Sequence, residues 1–352
     1  MDILITTFPK GSTQNVGDAL ITESAIKLVQ HRAPCYDPVI FFRQEPLESI
    51  IKRKVRTILV PGFSVNNNAY PELFSFYHNV CDVLHKILVV GCSFQHSEPR
   101  CSTYTSYEYN ERTKKFLSLL VESNGPIGCR DEPMRKILSN HNIESIYTGD
   151  LALYDDEKIR KNFKRPGRIN SVAFTIPHSE KFHSQAKKLL SLIRREFLGA
   201  SLYVVHHSKA NRSSRKLSEF ALSLGYIEKD ISGTADRLAF YNNIDIHIGY
   251  RLHGHVYFLR NRKPSVLMAE DCRSFGISRS GALGVGVFEA LGAEHLLVSD
   301  LAPYKAMDFL KYSIANNYKE YLKVFKHIDE TYFSVVRPYF DMVANKVCLR
   351  NQ

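Results

Sequence analysis

The chain has 352 residues, of which 44% are hydrophobic and 24% charged, with a formal net charge of +11. At about 150 residues per domain this length predicts two domains of a soluble globular protein with a sizeable core. Seven scattered cysteines without a CxxC pair exclude a disulfide scaffold and a structural zinc site, and no run approaches the roughly 18 apolar residues of a membrane span.

The N-terminal "MDILITTFPKG" lacks the basic region and long apolar stretch of a secretory signal and reads as a first strand. "GSTQNVGDALITES" follows. Gly17 there permits a tight turn with close backbone approach, and Asp18 stands where a helix N-cap belongs. The unpaired N–H groups of the following helix suit an anion, although capping alone also accounts for Asp18. "RTILVPG" and "KILVVGC" are buried-strand runs that end at Gly62 and Gly91, where small residues admit a ligand or simply turn the chain. The tyrosines of "TYTSYEYN", residues 103–110, could stack on sugar rings or belong to a plain loop.

"GPIGCRD" places Arg130 and Asp131 between a strand and the helix "EPMRKILSN". A guanidinium there can grip a phosphate or carboxylate through two bonds, whereas Asp131 reads as a helix cap. "IESIYTGD" closes this series near Asp150, and the polar stretch 155–170 with Pro166 and Gly167 reads as a linker. Strands alternating with helices predict parallel sheets covered on both faces.

A second series runs through "SVAFTIP", "KLLSLIRREF" and "SLYVVHH" to "DIHIGYRLHGHV". Here a buried strand ends at Gly249, and Arg251, His253 and His255 precede another apolar helix. An imidazole at a helix start, beside an arginine that holds an anion, can accept or donate a proton near neutral pH. His255 faces the same loop or packs into the core. Arg273, twenty residues beyond His253, is a second candidate cation. No carboxylate or cysteine cluster accompanies the histidines, so no metal site is expected; G-x-S-x-G and Walker A motifs are also missing. The region from about 303 to 348 reads as an aromatic-rich helical tail that packs along the second domain and returns toward the first.

Fifteen of the Lys and Arg residues, against three Glu, fall within 157–216. Such a block serves an acidic substrate, an anionic membrane surface or a solvated helix face. Nucleic acid is not expected, because no zinc finger, RNP-like aromatic set or basic heptad helix is present.

Taken together, "NVGDALI", "GCRDEPMRKIL", "YTGDLALY" and "IGYRLHGHVYFLRNRKPSVLMAEDCRSFG" resemble the polysaccharide pyruvyl transferase family. The resemblance implies an α/β fold of two Rossmann-like domains facing across a cleft, like the B-type glycosyltransferases. An N-terminal domain over 1–160 would form the acceptor side, a C-terminal domain over 168–302 the donor side, and a helical tail would occupy 303–352. It implies a cytoplasmic, or membrane-peripheral, transferase that moves the enolpyruvyl group of phosphoenolpyruvate onto a glycan as a ketal, with phosphate release and no cofactor. His253 and Arg251 would be catalytic, with Arg130, Arg251 and Arg273 binding the donor. Asn15, Gly17, Asp18 and Gly62 would lie on the acceptor side or its loops. The acceptor would be linked to a lipid or nucleotide, and an anionic membrane would be a peripheral contact. Family members often carry lysine at the position of Arg273, and the loop "PGFSVNN" is thin for the family's glycine-rich turn. A nucleotide-sugar glycosyltransferase and a non-catalytic glycan- or anion-binding protein are the alternatives.

Overall fold

The computed structural model describes residues 1–8, 14–48, 55–67, 69–76, 79–94, 96, 106–274, 290–291 and 301–349. Four parallel strands organise the N-terminal half: β1 (Asp2–Thr6), β2 (Val39–Phe42), β3 (Thr57–Pro61) and β4 (Ile87–Val90), in the order β2-β1-β3-β4. β3 and β4 are unbroken apolar runs and wholly buried, as strands covered on both faces must be. β2 forms the edge, with Val39 and Ile40 exposed. The sequence pattern does not mark it, because a four-residue strand gives too short a run to stand out. A parallel pair, β5 (Ile127–Cys129) and β6 (Ser145–Tyr147), extends this half through a bridge between Cys92 and Cys129.

Helix α1 (Val16–Gln30) follows β1, while α2 (Glu111–Asn124) and α3 (Glu132–Asn140) flank β5. Asp18 is not the cap of α1. The Asn15 carboxamide accepts the Gly17 N–H at 3.1 Å, which starts the helix ahead of Asp18. Nor is this helix end open to an anion, since the Val16 N–H donates to the His207 carbonyl at 2.9 Å. Asp131 does cap α3, its Oδ1 accepting the Met134 N–H at 2.8 Å.

The C-terminal half holds six parallel strands: β7 (Ser171–Thr175), β8 (Ser201–His206), β9 (Ile227–Asp230), β10 (Ile246–Gly249), β11 (Ser265–Met268) and β12 (Ala290–Leu291). Their order, β12-β11-β10-β7-β8-β9, reverses between β7 and β10, as in a Rossmann sheet. Helices α4 (His183–Glu196), α5 (Arg212–Ser223) and α6 (Leu252–Arg260) complete the alternation.

Residues 155–170 contain no strand or helix, yet they are pinned. Asp155 pairs with Arg260 of α6, and the Lys164 N–H donates to the Arg262 carbonyl at 2.8 Å. The tail forms α7 (Ala302–Ala315) against α4, then α8 (Lys319–Thr331) and α9 (Arg337–Leu349). α9 returns to the N-terminal half: Tyr339 donates to the Val89 carbonyl at 2.9 Å, and Arg32 to Asp341 at 2.8 Å. One hydrophobic cluster accordingly runs from α1 through the C-terminal sheet into the tail, while a second fills the N-terminal half. The two halves share a core, and that fixes their strand ends against each other.

Candidate active site

The loops beyond the carboxyl ends of the strands line one cavity of about 500 Å³. In open parallel sheets these loops carry ligands, above all where the strand order reverses. Asn15 and Asp18 follow β1, Arg43 follows β2, and Gly62 and Ser64 follow β3; Arg130 and Asp150 follow β5 and β6. From the other half come His178 after β7, His253 after β10, and Glu270, Asp271 and Arg273 after β11.

His253 occupies the first turn of α6 and is held from both halves. Its ring lies on Gly17, where a Cβ would come within 2.4 Å of Nδ1. The close approach expected at Gly17 is thus an approach of the histidine itself. Nε2 faces Asp150 Oδ2 at 3.7 Å, an ion-pair distance; the residues are 7% and 2% exposed, and neither atom has a hydrogen-bond partner. Asp150 is immobilised through Oδ1, which accepts the Ala152 N–H at 2.9 Å. Burial alone would raise its pKa, but the adjacent His253 ring, aided by Arg130, outweighs burial and holds the carboxyl below its ordinary value.

Arg130 is buried, with its N–H donated to the Cys92 carbonyl at 2.8 Å. Nε lies 3.4 Å from Asp131, and Nη2 has no partner. That nitrogen, with the unpartnered Ser64 Oγ and Arg43 Nε, gives the N-terminal wall three buried polar atoms without a mate. Unsatisfied buried donors are costly and uncommon, so a cavity that collects several is built to receive polar groups.

On the opposite wall the cations are engaged, except that Arg251 Nε has no hydrogen-bond partner. Arg251 lines a narrow annex with His178, Tyr250 and Glu270. Its N–H donates to Thr175 Oγ1 at 3.1 Å, and Nη1 touches His178 Nε2. Burial pushes its pKa down to about 10, opposed by the charge of Glu270. Burial likewise lowers His178, helped by Arg251 and Arg273. Glu270 Oε1 accepts the N–H groups of His178 and of Ser179, the latter at 2.8 Å; its pKa is raised by burial despite Arg251. Arg273 reaches the cavity already paired with Asp271, Nη2 to Oδ2 at 2.6 Å. Burial raises the pKa of Asp18 on the facing wall, against the charges of His253, Arg273 and Arg43.

The structure thus gathers Asn15, Asp18, Gly62, Arg130, His253 and Arg273 around one cavity, with Arg251 in its annex and Gly17 beneath the histidine. His255 belongs to the core, fully buried and bonded to Ser265 Oγ at 2.7 Å. Tyr107 and Tyr109 do not face the cavity: Tyr107 accepts the Asn67 N–H at 3.0 Å, and Tyr109 is buried and donates to the Val65 carbonyl at 3.3 Å. Residues 103–105 of that cluster lie outside the described residues. Sequence reading overlooked Asp150, Glu270, His178, Arg43 and Ser64 as site residues. The first two stand immediately beyond strands in "YTGD" and "MAED", a signal that was present; Arg43 follows a strand too short to be seen.

A protein-family model for polysaccharide pyruvyl transferase matches residues 15–271, a span from the cap of α1 to the Asp271 carboxylate. The chain belongs to the polysaccharide pyruvyl transferase family. This family member has no match among curated protein sequences. Among solved structures it is similar to the UDP-GlcNAc 2-epimerase from Neisseria meningitidis bound to UDP-GlcNAc, with TM-score 0.55, 12% identity, 99% of this chain and 100% of that one covered. It is also similar to the S. aureus MnaA–UDP complex, with TM-score 0.51, 12% identity and coverage of 99% and 94%. Against the accessory secretory protein 1,2 and 3 structure from Streptococcus pneumoniae it spans 56% of that chain and 87% of its own, at TM-score 0.46 and 10% identity. At these identities the likeness concerns the fold alone. The family member is a glycosyltransferase-B-like α/β protein with parallel sheets and a C-terminal helical tail.

Proposed function

We propose that this polysaccharide-modifying transferase uses phosphoenolpyruvate as donor and forms a pyruvate ketal on a glycan, with release of phosphate. The observation that carries the reading is the histidine assembled from both halves: His253, seated on Gly17 and facing Asp150 at 3.7 Å, in a cavity whose walls also present Arg130. A three-carbon donor bearing a phosphate and a carboxylate requires cations, and Arg130 with Arg251 supplies them. Arg273, neutralised by Asp271, shapes the pocket more than it adds charge.

Protonated His253 gives its proton to the donor's methylene carbon, which becomes a methyl group and leaves positive character on the adjacent carbon. Asp150 stabilises the imidazolium before this transfer and holds the ring in register. One sugar hydroxyl adds to the electron-poor carbon and passes its proton to the now neutral His253. The carbon–oxygen bond to phosphate then breaks, with Arg130 and Arg251 balancing the departing charge. A second hydroxyl closes the ketal, its proton leaving with the phosphate while His253 stays protonated for the next turnover. Asp18, on the opposite wall and not engaged as a cap, orients the attacking hydroxyl.

The acceptor we propose is a glycan carried on a phosphorylated lipid or nucleotide, assembled in the cytoplasm. Purified protein incubated with phosphoenolpyruvate and a panel of such acceptors should release inorganic phosphate in step with a mass gain on the glycan. Nucleotide release from a nucleotide-sugar panel, with phosphoenolpyruvate inert, would instead assign a glycosyltransferase.

A further inference from the structure

The basic block within 157–216 is not used by the cavity, apart from Lys181 at its rim. Its helical part lies on α4 and α5, and α7 of the tail packs beside α4 on the same layer. Exposed positions on these three helices carry eight Lys or Arg and three Asp or Glu. Neighbouring helices join their exposed faces directly: Lys188 Nζ stands 5.0 Å over the Tyr304 ring, Lys187 Nζ stands 5.4 Å over Phe220, and Lys311 pairs with Glu196 at 2.8 Å.

Apolar side chains interrupt this basic surface. Leu198, just past the end of α4, is 76% exposed, and Tyr312 and Tyr304 on α7 are 58% and 40% exposed. Single exposed apolar residues need no explanation. Leucine and tyrosine set among lysines are different, because this is the composition of a surface that lies at a bilayer interface: cations meet anionic headgroups while tyrosine and leucine enter the boundary beneath them. No helix among the described residues is long and apolar enough to cross a membrane, so any attachment through them is from the side.

We infer that the α4–α7 face docks on an anionic lipid bilayer. The cationic layer continues to the cavity through Lys181, which lies just ahead of α4 and lines the cleft. Docking through this face leaves the cavity rim at Lys181 beside the lipid surface, where a lipid-linked acceptor presents its phosphates and first sugars. The inference deepens the acceptor side of the proposed function, but its observations are independent of the donor chemistry.

The test is co-sedimentation of the full chain with phosphatidylcholine vesicles, with and without phosphatidylglycerol, at low and high salt. Binding should require the anionic lipid and fall with salt. Each cation near the surface contributes roughly fivefold in affinity, so Lys187→Glu with Lys188→Glu should weaken binding by more than about tenfold. Leu198→Ser with Tyr312→Ser should weaken it severalfold at constant charge, and circular dichroism establishes that each variant is folded. No binding to anionic vesicles, equal binding to neutral ones, or an unchanged K187E/K188E variant would overturn the inference. Displacement from vesicles by structured RNA at equal charge concentration would reassign the face to nucleic acid. Phosphate release on a soluble acceptor should be the same in the variants and the parent, so failure of docking and failure of the transferase reading give different results.

Discussion

The two walls of the cavity are built on opposite electrostatic plans. On the C-terminal wall each arginine already has a partner group: Arg273 its Asp271, and Arg251 both His178 and the charge of Glu270. On the N-terminal wall Arg130 Nη2, Ser64 Oγ and Arg43 Nε are buried without hydrogen-bond partners, although Arg130 Nε pairs with Asp131. The C-terminal wall is the more fully organised before any ligand arrives; the N-terminal wall holds more of the polar atoms that a ligand can satisfy. Recognition therefore leans on the N-terminal wall and on Arg251 Nε, with His253 standing between them.

His253→Ala should have the strongest consequence for catalysis. Turnover should fall about 10²–10⁴-fold, the range for losing a general acid–base group, and a near-parental rate would remove the histidine from the mechanism. Next is Gly17→Ala, which adds a methyl group 2.4 Å from Nδ1 and must displace the ring. Misplacement on the ångström scale costs on the order of 10²-fold, visible in kcat with donor KM little changed. Asp150→Asn should lower kcat by roughly 10-fold, since the ring keeps a polar neighbour but loses the charge that balances imidazolium.

Two smaller effects separate the walls. Arg130→Met should raise the KM for phosphoenolpyruvate more than Arg273→Met does, because Arg273 meets Asp271 through both Nε and Nη2 whereas Arg130 keeps Nη2 unpartnered; steady-state kinetics at saturating acceptor reads this directly. The smallest effect concerns Asp271. Burial would raise its pKa, but Arg273 outweighs burial and holds it below the ordinary value. A carboxyl depressed in the folded state stabilises the protein above the unfolded pKa of about 4, and that contribution disappears as pH falls through the folded value. Asp271→Asn should therefore lower the melting temperature at pH 7, and the difference from the parent should shrink as the pH is taken below about 4.

Legibility from sequence followed the range of the interactions. Buried parallel strands announce themselves as unbroken apolar runs, and TILVP and ILVV are both such strands. Residues just past a strand could be proposed for a site one by one, as Arg130, Arg251 and His253 were. Asp18 misled because a carboxylate near a helix start looks like a cap, and only the reach of the Asn15 carboxamide decides otherwise. β2 escaped notice, and with it Arg43 at its end.

What the sequence determined by itself was the alternation of strand and helix, the positive block, and the family signature around Arg251 and His253, all local in the chain. Tertiary structure alone decided which cations remain available and which carboxylate serves the histidine. Asp150 and His253 are separated by more than one hundred residues and lie on different halves, brought together only because α1 and the tail give both sheets a common core. Burial and charge act through distance in space, and a chain written in one dimension does not contain that distance.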